Sequence, residues 1–173
     1  MSPDRRLSAE RIKELLRLEP HPREGGWYRQ TWASAEKIPQ GALPKRYSSE
    51  RAAGTAIYYL LTPTTFSEMH RLASDEVFHF YLGDPVEMLQ LKPDGQGGIV
   101  RLGGDIEGGM TPQLLVPRGV WQGSRLIAGG EVALLGCTVS PGFDYADYEQ
   151  GTRARLTADY PTFAEMIREL TRA

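Results

Sequence analysis

The sequence has 173 residues, 40% hydrophobic and 24% charged, which is ordinary usage for a globular protein and predicts one domain over residues 1–173. A net charge of −2, and no apolar run near the ~20 residues of a membrane span, predict that neither nucleic acid nor a membrane is a partner. The single cysteine, Cys137, lies in an apolar run and is expected to be a buried thiol, which favours a reducing, cytoplasmic setting.

A short amphipathic helix is predicted near the N-terminus. Ser8 is a good N-cap residue, and Ile12, Leu15 and Leu16 recur at helical spacing after it. Pro20 ends the pattern, because a proline disrupts a continuing helix. We expect this helix to pack on the outside of the protein.

The middle of the chain has the alternating, β-branched and aromatic character of strands. Strands are predicted at Gly26–Trp32, Thr55–Leu61, Val77–Leu82, Val86–Leu91, Ile99–Leu102, Gln113–Val116 and Val132–Val139. Turn sequences such as the one at 92–95 separate them, while Ser34–Ser49 is predicted to be a long loop. Many short strands at short spacing predict an all-β sandwich or barrel, with a core at about residues 26–150.

A second helix is predicted close to the C-terminus. Thr162, followed three residues later by Glu165, forms a potential capping box. An apolar stripe at helical spacing follows: Phe163, Met166, Ile167 and Leu170. This helix is also expected to pack on the outside of the barrel.

The most informative stretch begins at His70 and reads HRLASDEVFHFYLG. His70, Glu76 and Gly83 resemble the first cupin motif, in which two histidines one residue apart precede a glutamate and a glycine. Leu72 stands where the second histidine would be. The resemblance implies a double-stranded β-helix, the cupin jelly-roll barrel, with a site inside it.

A second motif lies further along, at Val116-Pro117-Arg118-Gly119-Val120-Trp121-Gln122. Pro117 and Gly119 match the second cupin motif, and Gln122 replaces its histidine. The turn is expected to direct Gln122 toward the same cavity as His70, although Gln122 could instead cap the turn.

Alternation along a strand predicts which side chains face the interior. Side chains two residues apart share a face, so an inward Glu76 brings Phe78 and Phe80 inward and turns His79 outward. A few polar groups among aromatic side chains are typical of a small-molecule site. Glu76 could instead be a structural carboxylate paired with Arg71 or Arg118.

A wider set of motifs is similar to the small single-domain cupin family of the Cupin_5 type. The motifs are His21-Pro22 with Gly25-Gly26 and Tyr28 to Thr31, Ile57 to Leu61, Ser67, His70-Arg71, Asp75 to Asp84, Val116 to Gln122 and Gly136 to Tyr145. This similarity covers about residues 21–149. It implies the cupin barrel and a homodimer, but no particular activity.

The candidate site residues follow from these patterns. His70 and Glu76 are predicted to be the catalytic pair, with His70 as a general base and Glu76 orienting it or donating a proton. The predicted ligand-binding residues are Ser67, Tyr58, Phe78, Phe80 and Gln122. The run at 144–149 is acidic and aromatic, and favours a lid or interface strand, with a place at the mouth of the pocket as the alternative.

No metal and no other cofactor is predicted. Leu72 cannot bind a metal, and the amide of Gln122 is a poor ligand for transition metals, which prefer imidazole and carboxylate groups. The leading hypothesis is therefore a cupin that binds a small polar or ring-bearing metabolite, with isomerase or epimerase chemistry if it is an enzyme. The alternatives are a metal-dependent oxygenase or isomerase, and a non-catalytic ligand-binding dimer.

Overall fold

The structure, a computed structural model, describes residues 6–172 and consists mainly of β-strands. The strands are β1 (Glu19–Pro20), β2 (Trp27–Ala33), β3 (Lys37–Ile38), β4 (Arg51–Ala52), β5 (Thr55–Leu61), β6 (Phe66–Leu72), β7 (Asp75–Gly83), β8 (Val86–Leu91), β9 (Gly97–Leu102), β10 (Gln113–Val116), β11 (Trp121–Leu126), β12 (Ala133–Ser140) and β13 (Tyr148–Gln150). The α-helices are α1 (Ala9–Leu16), α2 (Arg153–Asp159) and α3 (Ala164–Glu169).

The strands form two main antiparallel sheets. The six-stranded sheet has the order β1-β2-β5-β12-β7-β10, and the five-stranded sheet has the order β13-β6-β11-β8-β9. Successive strands often lie in different sheets, as in the jelly roll of a double-stranded β-helix. The predicted all-β fold class with flanking helices is confirmed.

The main apolar core lies between the two sheets. It includes Phe78 and Leu135 from the six-stranded sheet and Leu72 and Met88 from the five-stranded one. Each strand places alternate residues on this inner face, because side chains alternate across a strand. The site described below opens within this layer.

Helices cover the outer faces of both sheets. Ile12 of α1 packs with Leu60 and Leu134 on the six-stranded sheet. On the five-stranded sheet, α2 and α3 form a second outer cluster in which Ile167 packs with Trp121. None of the helices within residues 6–172 has the length and apolar character needed to cross a membrane.

The predicted elements agree with the structure where hydrophobic periodicity is clear. Ser8 caps α1, with its side chain accepting a hydrogen bond from the backbone of Arg11. The predicted bounds of β5, β8 and β10 are those observed. β9 differs by two residues at its start, and β2, β7 and β12 differ by one or two residues at each end.

Several predictions at the level of elements were wrong or incomplete. β6 and β11 were not among the predicted strands, and α2 was missed because Leu156 is its one buried residue among the seven. The capping box at Thr162 does not form, because 161–163 is a 3₁₀ turn and α3 begins only at Ala164, without a side-chain cap. The predicted loop at 34–49 contains the short strand β3.

Candidate functional site

A cavity of about 270 Å³ lies at the end of the barrel where β5 and β7 begin and β12 ends. Its lining residues are Glu19, His21, Glu24, Tyr28, Gln30, Thr55, Ile57, Glu76, Cys137, Val139, Phe143 and Tyr145. Most of them belong to the six-stranded sheet, and the remainder come from the β1–β2 turn and the segment after β12. The cavity therefore combines several carboxyl groups with aromatic walls.

The β1–β2 turn brings His21 and Glu24 to the cavity. Gly25 within it has φ +86°, a conformation that glycine adopts without strain. The turn is anchored from two sides: the Tyr59 hydroxyl donates to the carbonyl of Gly25 at 2.8 Å, and the backbone N–H of Glu68 donates to the carbonyl of Glu24 at 2.8 Å. Its position is thereby fixed relative to both sheets.

The imidazole of His21 has a defined proton position. Its Nδ1 accepts the backbone N–H of Glu24 at 2.9 Å and that of Arg23 at 3.3 Å, so Nδ1 is unprotonated and the ring proton is on Nε2. Nε2 lies 3.6 Å from Oε1 of Glu24. His21 thus directs an N–H toward the Glu24 carboxyl group.

His70 approaches the same carboxyl oxygen from β6. Its Nδ1 donates to the carbonyl of Glu68 at 2.7 Å, which leaves Nε2 of the neutral ring as an acceptor. Nε2 is buried without a hydrogen-bond partner in the described structure and lies 3.7 Å from Oε1 of Glu24. The ring also stacks on Tyr148, with 5.1 Å between the centroids.

Burial shifts the pKa of each of these groups. Desolvation raises the pKa of Glu24 to about 8 and, with a smaller contribution from His70, lowers that of His21 to about 4. Desolvation also lowers the pKa of His70. At neutral pH the carboxyl group is therefore largely protonated and both imidazoles are neutral, so these contacts are not ion pairs.

Glu76 forms a second polar group in the cavity. Gln122 donates to Oε2 of Glu76 through its side-chain amide, and the thiol of Cys137 donates to Oε1. Burial raises the pKa of Glu76, and it raises that of Cys137 well above its ordinary value. Gln122 therefore forms a hydrogen bond with Glu76 rather than capping a turn. Within residues 6–172, Glu76 forms no ion pair with Arg71 or Arg118.

The structure brings most of the predicted residues to the barrel interior. Ser67 and His70 are buried on β6, Phe78 is buried in the inner core, and Phe80 is partly buried against that core. Of the predicted pair, Glu76 lines the cavity, whereas His70 lies behind Glu24 and does not line it.

The prediction that Tyr58 lines the cavity is wrong. Ile57 and Tyr59 face the interior, so Tyr58 between them is on the outer face of β5, where it packs on the cluster formed with α1. His79 is likewise on the opposite face of β7 from Phe78, with Nε2 3.2 Å from the hydroxyl of Thr138.

The cavity residues do not fit the four-ligand metal site of typical cupins. Leu72, in the place of a histidine, is 6% exposed and belongs to the apolar core. Gln122, in the place of another, donates its amide to Glu76. Within residues 6–172, no group of three or more His, Cys, Asp or Glu side chains has an arrangement that could hold a metal ion.

Sequence reasoning missed Glu24 and did not connect His21 or Cys137 with the site. The available signal for Glu24 was its position between His21 and the Gly25-Gly26 pair. Two titratable residues in a short turn are more than a simple connection between strands requires. Cys137 was correctly predicted to be buried, but its hydrogen bond to Glu76 depends on how β12 pairs with β7. Tyr145 lines the cavity, in agreement with the alternative of a mouth position for its segment.

The jelly-roll fold and the interior His70, Glu76 and Gln122 define a protein of the cupin class. The chain belongs to the family described as Cupin superfamily (DUF985), which matches residues 10–151. It is similar to protein SO0799 of Shewanella oneidensis, with 32% identity, a TM-score of 0.85 and coverage of 96% of this chain and 99% of that one.

Two other proteins show a similar relationship. A hypothetical protein from Leishmania major is 34% identical, with a TM-score of 0.85 and coverage of 96% of this chain and all of the other. The uncharacterized protein YML079W of Saccharomyces cerevisiae is 31% identical over 134 residues, which is 73% of this chain and 67% of the yeast protein. The names of these relatives state no activity.

Proposed function

We propose that the cavity binds a small polar metabolite and catalyses proton transfer to and from carbon, as in an isomerase or epimerase. One observation supports this most directly: the Glu24 carboxyl group faces the cavity, with Oε1 between the Nε2 atoms of His21 and His70 at 3.6 and 3.7 Å. A carboxyl group in contact with a donor on one side and an acceptor on the other can both accept and release a proton.

The pKa of Glu24 suits this chemistry. General acid–base catalysis works best when the pKa of the group is close to the working pH, and burial raises the pKa of Glu24 to about 8. In the proposed step, the carboxylate of Glu24 accepts a proton from a carbon next to a carbonyl group. The C–H electron pair forms the enolate, and return of the proton from Glu24 to a neighbouring carbon gives the isomer. An epimer requires a proton delivered to the opposite face by a second acid, for which Glu76 is the candidate in the cavity.

Other groups hold Glu24 and the ligand in place. His21 directs its Nε2–H at Oε1, and the unpartnered Nε2 of His70 can accept the carboxyl proton. Glu76 is fixed by Gln122 and Cys137, and its raised pKa favours the neutral acid, which can donate to a ligand carbonyl. In this arrangement His70 is a positioning residue, and Glu24 and Glu76 contact the ligand.

Deuterium incorporation tests the proposal even though the substrate is unidentified. A mixture of carbonyl-bearing metabolites in D₂O is incubated with the protein, and mass spectrometry detects compounds that gain deuterium at carbon. We expect the wild-type protein to label at least one compound, and Glu24→Gln to slow that labelling by about 100-fold, the usual contribution of a general base. For His70→Gln we expect a changed pH profile of labelling, because the substitution alters the group facing Oε1.

Glu107→Gln is the matched control, because Glu107 is exposed on a loop outside the cavity. It should label at the wild-type rate. Labelling that persists in Glu24→Gln would assign the chemistry to another group. If no carbonyl compound is labelled, the proposal of proton-transfer catalysis is rejected, and non-catalytic ligand binding explains the cavity better.

A further inference from the structure

We propose that the ligand carries a cationic nitrogen, an ammonium or amidinium group, joined to an aromatic or other apolar part. The inference rests on the cavity being a ligand site, as in the proposed function, and it specifies the class of ligand. It follows from the polar groups that the cavity contains and from those that it lacks.

The cavity is rich in carboxyl groups and poor in cations. Glu19, Glu24 and Glu76 line it, and no lysine or arginine is among the lining residues of the described structure. Burial raises the pKa of Glu24 and of Glu76 because the lining supplies no charge to compensate a carboxylate, and an anionic ligand would oppose their ionisation further. A cation would interact favourably with each of them.

Glu24 in particular has no partner of opposite charge among the described residues. Its side chain is 12% exposed, and the imidazole nitrogens that approach it, on His21 and His70, belong to neutral rings beyond direct hydrogen-bond distance. A buried carboxyl group in a protein is normally paired or hydrogen-bonded. An ammonium group that entered from the cavity would supply the missing partner.

His70 provides a second, independent indication. Its Nε2 is a fully buried acceptor without a donor in the part of the chain that the structure describes, and it is directed at the carboxyl group that lines the cavity. His70 does not line the cavity, so it acts on a ligand only through Glu24: if Nε2 accepts the proton of that carboxyl group, the carboxylate left at the cavity is an acceptor. A ligand with several N–H donors complements such a site, whereas an acceptor-rich ligand does not.

The walls of the cavity suit the rest of such a ligand. Tyr28, Phe143 and Tyr145 contribute aromatic rings, and Phe143 and Tyr145 meet edge to face with 5.0 Å between centroids. The guanidinium of Arg23, which is not a lining residue, lies 4.7 Å from the centroid of the Tyr145 ring, so one face of that ring is taken by a cation of the protein itself. Aromatic faces beside carboxylates are a common way to recognise an organic cation.

The cation would also prepare the site for the proposed chemistry. A positive charge beside Glu24 favours its carboxylate form, because an opposite charge nearby stabilises the ionised group. That form is the base needed to take a proton from carbon. Binding of the correct ligand would therefore generate the reactive state of Glu24.

Three probes that differ in one group test the inference: tyramine, tyrosol and 4-hydroxyphenylacetate carry a cation, a neutral hydroxyl and an anion on the same ring. Isothermal titration with the full chain at low salt measures their affinities. We expect tyramine to bind at least about tenfold more tightly than tyrosol, and the acid not to bind. Glu24→Gln should reduce tyramine affinity to the level of tyrosol, while Glu107→Gln should retain the preference.

A variant at the mouth keeps the test informative if Glu24→Gln does not fold. Glu19→Gln changes an exposed carboxylate outside the packed interior, and it should weaken tyramine binding about threefold. Titration with Mn²⁺ and Zn²⁺ alone gives the comparison with a metal cation.

The inference would be overturned by tyrosol or the acid binding as tightly as tyramine, by binding of none of the three, or by stoichiometric metal uptake that excludes tyramine. These outcomes are separable from failure of the proposed function. A preference for tyramine without any deuterium labelling would support the cationic ligand and reject the proton-transfer function. Labelling without a preference for tyramine would support the proton-transfer function and reject the cationic ligand.

Discussion

Glu24 affects the stability of the fold through the titration of its buried carboxyl group. Burial raises the pKa of its carboxyl group from an ordinary 4.5 to about 8, so the folded protein holds a proton that the unfolded chain releases. Between pH 4.5 and pH 8, unfolding releases that proton. The contribution of Glu24 to the free energy of unfolding therefore falls as the pH rises and is lost above about pH 8. His21 has the opposite sign: with its pKa lowered from 6.5 to about 4, it adds stability with rising pH up to about 6.5.

The contributions of Glu24 and His21 to the free energy of unfolding change with pH in opposite directions below pH 6.5. Above pH 6.5 the contribution of Glu24 dominates. We therefore predict that the free energy of unfolding falls between pH 6.5 and 8 by on the order of 1–2 kcal/mol. Glu24→Gln should remove at least half of this decline, because a glutamine does not titrate. Urea denaturation at several pH values measures the effect.

Glu76 lies close to Glu24 and contributes to the same decline, because burial raises its pKa as well. Part of the decline is therefore expected to survive the substitution. The control Glu107→Gln should retain the full decline. A wild-type curve that is flat over the window would contradict the prediction.

At the scale of elements, the β1–β2 turn determines where His21 and Glu24 lie. A Cβ atom on Gly25 would be 2.5 Å from the carbonyl oxygen of Phe66, and the residue has φ +86°. The turn thus depends on glycine for two reasons, its backbone conformation and its close approach to the start of β6.

We predict that Gly25→Ala destabilises the protein by about 2 kcal/mol or more, from strained backbone together with steric overlap. It should also abolish tyramine binding, because the turn must shift away from β6. Gly95→Ala is the control: Gly95 has the same φ of +86° with no described atom near its Cβ position, so it isolates the backbone cost of about 1 kcal/mol. An equal loss of stability in Gly25→Ala and Gly95→Ala, measured by thermal or urea unfolding, would show that the contact with Phe66 is unimportant.

At the scale of the whole molecule, two edge strands expose apolar side chains. β10 is the last strand of the six-stranded sheet and exposes Leu115 at 50%, and β9 is the last strand of the five-stranded sheet and exposes Ile99 at 51%. Leu102, at the end of β9, forms a bridge with Thr111, which precedes β10. Exposed edges of this kind favour association with another chain.

We predict a homodimer that covers these edges. Light scattering at micromolar concentration should give twice the chain mass of 19.3 kDa. Leu115→Lys should shift the protein toward the monomer, because a charge at the centre of an interface is costly to desolvate. Ile106→Lys, at a 67% exposed loop position, is the matched control and should leave the mass unchanged. A monomer in the wild type would contradict the prediction.

The fold class and the inward direction of Glu76 and Phe78 were predictable from hydrophobic patterning and the cupin motifs. Strands such as β5 and β8 carry mostly apolar residues on their inner faces, so periodicity reveals them. The strands β6 and β11 were not recognised because they carry polar residues on their inner faces. β6 and β11 place Ser67, His70 and Gln122 inside, and a register shift between them breaks the alternation further.

Which residues form the site, and how their charges interact, could not be predicted from the sequence. Glu24, His70 and Cys137 are far apart in the chain, and they meet because strands from both sheets and an anchored turn converge at one end of the barrel. No local pattern encodes that convergence or the burial that raises the pKa of Glu24 to about 8. Side-chain periodicity is a local property of the backbone, whereas desolvation and the pairing of titratable groups depend on long-range packing.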